Sequence, residues 1–259
     1  MQIYCLPALE TNYFWLLQPD PKSSDAYIFD PGDAAPVLAA LKQRELTLAG
    51  IVLTHHHWDH TDGIDELLEH HQVPVYGPHS TRIPQVTQPL AEGDTLELGG
   101  TQWRILATPG HTLDHIVYYR PDAKPNGVLI AGDTLFAGGC GRMFEGDPER
   151  FQQSLDKLAQ LPANTTLYCS HEYTVANLVF AQAVEPENPD IAARLNSARK
   201  KREQHQPTVP STIALELATN PFLRCTQAPV VASASEYSGC SQDSAADVFA
   251  VLRRWKDGF

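Results

Sequence analysis

A chain of 259 residues, 42% of them hydrophobic, can bury the core of one large domain or two modest ones. Its formal charge of −12 excludes a general nucleic-acid binder, which needs a basic face. Cys5, Cys140, Cys169, Cys225 and Cys240 are odd in number and contain no C-x-x-C pair, which excludes a disulfide framework and a thiolate zinc site and predicts a reducing, cytoplasmic setting.

The first residues lack the basic n-region of a secretory signal, and no apolar run approaches the ~20 residues of a membrane span, so no membrane partner is expected. Strands are predicted over residues 2–6, 13–17 and 26–29, closed by the turn Asp30-Pro31-Gly32-Asp33. Residues 36–44 carry helical spacing at Val37, Leu38 and Leu41. Gly50-Ile51-Val52-Leu53 reads as a short buried strand running into Thr54-His55-His56-His57-Trp58-Asp59-His60. In an extended segment alternate side chains share a face, so His55, His57 and Asp59 point one way and His56 and Trp58 the other. Imidazole and carboxylate together suit Zn²⁺, Fe or Mn.

Thr61-Asp62-Gly63 then opens a helix over 63–71. Strands follow over 73–76, 95–98, 102–107, 116–119 and 128–130, then a helix over 151–161 and a strand over 166–169. Three polar residues sit just past strand ends: His111 after Thr108-Pro109-Gly110, Asp133 after Ala131-Gly132, and His171 after Cys169-Ser170. A lone His is usually structural and an Asp after Gly usually a turn. The same placement three times over is how a scaffold aims ligands from rigid strand ends. Gly138, Gly139 and Gly141 predict a flexible loop, with no Lys-Ser/Thr after it to make a phosphate cradle.

From residue 174 the pattern turns helical over 175–184, 190–205, 212–218 and 245–255, with breaks at Pro186, Pro189, Pro207, Pro210, Pro221 and Pro229. An α/β domain over 1–173 followed by a smaller α-helical domain over 174–259 is the expected division. Arg253 and Lys256 lie three apart on the last helix, and by themselves read as a solvated face.

The series His55-x-His57-x-Asp59-His60, His111, Asp133 and His171 resembles the metallo-β-lactamase superfamily, and within it the glyoxalase II (hydroxyacylglutathione hydrolase) family. Gly139-Cys140-Gly141-Arg142, His171-Glu172-Tyr173-Thr174 and Asn220-Pro221-Phe222-Leu223-Arg224-Cys225 extend the resemblance over essentially the whole chain. It implies a four-layer αβ/βα sandwich, a C-terminal helical domain and two divalent metal ions, zinc being expected and iron or manganese the alternatives. By that resemblance His55, His57 and His111 hold the first ion, Asp59, His60 and His171 the second, and Asp133 bridges them. His56 falls outside the ligand set, as alternation also has it, along with His70, His71, His79, His115 and His205.

The implied reaction is hydrolysis of a glutathione thioester, S-D-lactoylglutathione in the usual case, to glutathione and D-lactate, by a monomer. Asp59 and Asp133 are the implied catalytic carboxylates, with Asp59 orienting the attacking water. Glutathione contacts are implied at Arg142, Phe144, Tyr173, Asn177, Phe180, Arg253 and Lys256. Arg142 and Phe144 stand where the eukaryotic pattern has Lys and Tyr, so the charge is kept and a hydroxyl is lost. A persulfide dioxygenase of the same fold is the first rival, and the long helical tail with Arg253 and Lys256 weighs against it.

Overall fold

The chain opens with β1 (Gln2–Ala8), β2 (Asn12–Gln18) and β3 (Asp25–Phe29), and β2 is buried along its whole length. Its alternate side chains therefore serve two cores: Tyr13, Trp15 and Leu17 join one, Phe14 and Leu16 another. In the computed structural model, which describes residues 1–121 and 126–259, this two-sided burial produces the four-layer αβ/βα sandwich.

Next come α1 (Ala34–Arg44), β4 (Thr47–Val52), α2 (Trp58–Thr61), α3 (Ile64–His70), β5 (Val75–Pro78) and β6 (Gln88–Leu90). They complete a first sheet in the order β1-β2-β3-β4-β5-β6. The chain continues through β7 (Thr95–Leu98), β8 (Thr101–Ala107), β9 (Ile116–Arg120), β10 (Val128–Gly132), β11 (Leu135–Phe136), β12 (Gly139–Cys140), α4 (Pro148–Ala159) and β13 (Thr166–Cys169). It ends with α5 (Thr174–Val184), α6 (Pro189–Glu203), β14 (Ser211–Thr212), α7 (Ile213–Thr219), a 3-10 turn at Pro221–Leu223, α8 (Ala228–Ser238) and α9 (Ala245–Asp257). The second sheet runs β14-β13-β10-β9-β8-β7, and β11 with β12 forms a separate hairpin.

Between the sheets, Trp15 and Phe29 meet Trp103, Tyr118 and Ile130. Val37, Leu41, Ile64 and Leu67 of α1 and α3 cover the first sheet. Phe151, Leu155 and Leu158 of α4 cover the second, together with Phe180, Phe249 and Leu252 from the C-terminal helices. Each fully buried side chain of this size contributes roughly 1.5–3 kcal/mol by leaving water. Residues 174–259 are thus continuous with the second sheet: they add β14 to its edge and share its outer core.

At one edge the sheets are tied by polar contacts. Tyr118 donates its hydroxyl to the Leu53 carbonyl (2.6 Å), the Ile116 amide donates to Thr54 O (2.9 Å), and Trp15 Nε1 donates to Cys169 O (3.0 Å). Several elements depart from expectation. Pro189 and Pro229 lie in the first turns of α6 and α8, where a missing N–H costs nothing, so they start helices rather than break them. Gly138 to Gly141 are not a flexible loop: Gly139–Cys140 is half of the buried hairpin.

Candidate metal centre

The histidine segment leaves β4 at the tied edge, and Thr54 anchors it. The Thr54 amide and hydroxyl both donate to Asp30, at 2.7 and 2.8 Å. With its proton so engaged, that hydroxyl can only accept from His55 Nδ1, 3.0 Å away. His55 therefore presents the lone pair of Nε2. His111 is set the same way, because its Nδ1 lies 2.8 Å from the Arg142 carbonyl and must donate to it. Both Nε2 atoms converge on His57 Nδ1, at 3.0 and 2.9 Å. A single ring N–H cannot serve both, so the three imidazoles fit a shared cation.

His57 has φ −64° and ψ 145°, and there the extended run ends. Trp58–Thr61 forms one helical turn, so the alternation expected to reach Asp59 stops short and the Asp59 carboxylate enters from α2 instead. The same turn buries His60, whose Nε2 lies 3.5 Å from both Asp59 Oδ2 and Asp133 Oδ1. His171 Nε2 lies 3.4 Å from Asp59 Oδ2 and 3.3 Å from Asp133 Oδ2. His56 turns away, toward Asp114 at 2.9 Å and Arg82 at 2.6 Å.

Three sets of ligand atoms result: His55–His57–His111, His55–His60–Asp133 and Asp59–His60–His171, with the atoms of each set within 4.8 Å of one another. Among the described residues, Nε2 of His60 and Oδ1 of Asp133 are buried without a hydrogen-bond partner. Such atoms are rare in a satisfied interior and suit a coordinated ion. Imidazole nitrogen and carboxylate oxygen without thiolate are the donors of zinc, iron or manganese. Burial, aided by His111, pushes His57 down to about 4, keeping it neutral, as a metal ligand would need to be. Burial would also lower His171, but the Asp133 carboxylate overrides it and lifts His171 to about 9. Burial would raise Asp133, yet His171 and His60 hold it well below the carboxylate range. Cations entering this network displace protons.

The sequence reading missed three supports. Asp30 belongs to the predicted turn, but it follows β3 as Asp133 follows β10, so the same placement rule applies to it; its Oδ2 lies 3.2 Å from His60 Nδ1. Asn12 donates to Asp59 Oδ2 at 3.0 Å. His115, set outside the site, stacks on His55 with ring centroids 4.8 Å apart. Its Nε2 accepts the Asp133 amide at 3.1 Å, and its Nδ1 lies 3.0 Å from the Thr108 and Thr134 hydroxyls.

A cleft of about 490 Å³ opens above the histidines, walled by Trp58, Phe136, Arg142, Phe144 and Tyr173. Phe144 sets its ring edge-to-face with His57 and His111, and Tyr173 stacks on His171 at 4.8 Å. Arg142 keeps its side chain 63% exposed. The remaining expected contacts do not line this cleft. Asn177 is buried and donates to Ala137 O at 3.2 Å. Phe180 is 0% exposed, so its ring supports Lys256, 5.4 Å above it, rather than offering a surface. Arg253 is 7% exposed and reaches Cys140 O (3.3 Å), Gly141 O (3.4 Å) and Asp257 (2.8 Å), which removes it from any solvated face. Lys256 donates to Ala176 O at 3.2 Å. A larger cavity of about 710 Å³ beside Glu185, Arg224 and Ser233 has no such donor set among the described residues, so the smaller cleft is the candidate for the chemistry.

Residues 10–171 match the metallo-beta-lactamase superfamily and residues 172–259 match the hydroxyacylglutathione hydrolase C-terminus. Among similar proteins, the hydroxyacylglutathione hydrolase of Idiomarina loihiensis is 49% identical over 99% of both chains. That of Alkalilimnicola ehrlichii is 50% identical over 99% of this chain and 98% of its own. Among solved structures, ETHE1 from Myxococcus xanthus superposes with a TM-score of 0.68 at 23% identity, covering 98% of this chain and 91% of that one. The B3 metallo-beta-lactamase BLEG-1 gives 0.64 at 24%, covering 86% and 99%. These two share the fold.

Proposed function

This chain belongs to the metallo-β-lactamase superfamily and, within it, to the hydroxyacylglutathione hydrolase family, and from that premise we infer that it hydrolyses S-(2-hydroxyacyl)glutathione, S-D-lactoylglutathione in the usual case, to glutathione and a 2-hydroxy acid. The observation that carries the reading is the set of three overlapping donor clusters under one open cleft. His55, His57 and His111 would hold one divalent ion and Asp59, His60 and His171 the second, with Asp133 between them; zinc suits these donors. When bound, the ions supply Lewis acidity toward the thioester carbonyl and lower the pKa of a water from 15.7 toward ~7.

The chain's own groups do the rest. Burial would raise the Asp59 carboxyl, but hydrogen bonds with His171 and His60 keep it well below the usual range, so it stays an acceptor. Asn12 fixes its direction, and Asp59 can orient the attacking water. The leaving thiolate, with a pKa near ~8.5 for a cysteine thiol, departs without a strong general acid. Arg142 and Lys256 place positive charge toward the anionic glutathione, in a chain otherwise acidic at −12. Phe144 offers a ring face and no hydroxyl.

The test is hydrolysis of S-D-lactoylglutathione by protein whose metals have been counted by elemental analysis. Turnover that scales with about two metals per chain supports the assignment. Oxygen uptake on glutathione persulfide without thioester turnover overturns it.

A further inference from the structure

The motif Asn220-Pro221-Phe222-Leu223-Arg224-Cys225 has no part in the reaction described above. Its first residue lies fully buried against the β11–β12 hairpin. Asn220 Nδ2 donates to Gly139 O at 2.9 Å and to Phe136 O at 3.3 Å, spanning both strands. One turn earlier on α7, the carboxylate of the fully buried Glu216 accepts the Gly138 backbone N–H at 2.7 Å and Asn220 Nδ2 at 3.2 Å. Its other oxygen is held by Arg194 at 2.5 Å and by Ser211. The carboxylate thus reaches the hairpin fully partnered.

A hairpin of two-residue strands has no stability of its own, so its shape must come from what surrounds it. That shape matters in two places. Phe136 walls the cleft, edge-on to His171 and Tyr173 with centroids 5.7 and 5.4 Å away. Just beyond β12, Gly141 packs so tightly that a Cβ would lie 2.1 Å from Asp133 O, and Arg142 O takes the His111 Nδ1 proton. We propose that Asn220, backed by Glu216, is a positioning residue: a clasp from the C-terminal segment that sets the cleft wall and, through the hairpin, the orientation of the His111 ligand. The proposal deepens the hydrolase reading and rests on it for its kinetic consequence alone.

Asn220→Ser tests it, since a serine oxygen can still cap the Phe222 amide but cannot span Phe136 and Gly139. Arg224→Ala is the control: Arg224, in the same motif, binds Glu185 at 2.7 and 2.8 Å and the Leu217 carbonyl at 3.0 Å, and none of these hydrogen bonds goes to the hairpin. Both variants should lower Tm. In Asn220→Ser alone, metal retention against a chelator should weaken about tenfold, as when a partner behind a ligand is lost. With metal saturating, its KM should rise about tenfold while kcat changes less than about twofold, because the wall binds ground and transition states alike. Wild-type metal retention and KM in a folded Asn220→Ser protein would overturn the clasp, as would equal effects in both variants.

Hydrogen exchange on the unaltered protein gives a readout that needs no variant to fold. The Gly138 amide, bound to Glu216, should exchange as slowly as the amides of β10, and fast exchange there overturns the proposal. Failure of the hydrolase reading would show as absent thioester turnover, leaving metal retention and exchange to judge the clasp.

Discussion

His115 shows what a single side chain contributes when it touches no substrate. It is fully buried, and burial, with His111 nearby, pushes it down to about 3. It therefore stays neutral and can accept the Asp133 amide. Between pH 3 and the unfolded value near 6.5 the unfolded chain binds a proton here that the folded chain refuses, so folded stability falls as pH drops through that window. Replacing His115 with Gln removes this contribution. The stability difference between the original protein and His115→Gln, measured by urea unfolding in chelator, should therefore shrink in favour of the variant as pH falls from 6.5 toward 3. A difference independent of pH would mean that His115 protonates freely in the fold. Nothing in the sequence separated His115 from the solvent histidines, because its value lies in a stack on His55 and an amide from a distant strand. His111, Asp133 and His171 were legible because each repeats one local rule, a polar residue just past a strand end.

At the level of elements, α9 differs most from expectation. The helix was legible from its spacing, and Ala245–Asp257 runs two residues past the predicted end. The direction of Arg253 was not legible, since a charged residue on an amphipathic helix normally faces water. Here the partners are the Cys140 and Gly141 carbonyls, on a hairpin whose formation depends on contacts remote in sequence. Arg253 and Lys256 should consequently separate in mutagenesis. Arg253→Ala leaves buried carbonyls without a donor, at roughly 1–3 kcal/mol each, and should lower Tm as well as raise KM. Lys256→Ala, losing one hydrogen bond to Ala176 O and its place over the Phe180 ring but leaving no buried group unpaired, should raise KM with a smaller loss of Tm. Salt should weaken substrate capture mainly through exposed Arg142, so raising ionic strength should raise KM in Arg253→Ala as it does in the parent. Equal Tm losses in the two variants would place both residues in the same environment, against the burial of Arg253.

For the whole molecule, strands interleaved with helices made an α/β domain legible, and the layered sandwich was implied by the family resemblance that the histidine series carries. The continuity of the C-terminal helices with the second sheet was not, since β14 is a two-residue strand with no pattern to read. The metal centre lies where both sheets end, so its ions should act as fasteners for the fold. Chelation should lower Tm as well as abolish turnover, because His60 and Asp133 would return to burying unpartnered atoms. An unchanged Tm after complete metal removal would show that the centre is preformed without help. The thiols have a further consequence. Burial raises Cys140 to about 11 and Cys169 to about 12, and lifts Cys225 still further, so none presents a thiolate near neutrality. Exchange with any disulfide needs a thiolate at the attacking cysteine, so these buried, protonated side chains are poor partners for it. Of the five cysteines only Cys240 is exposed, so iodoacetamide on the native protein should label that one first.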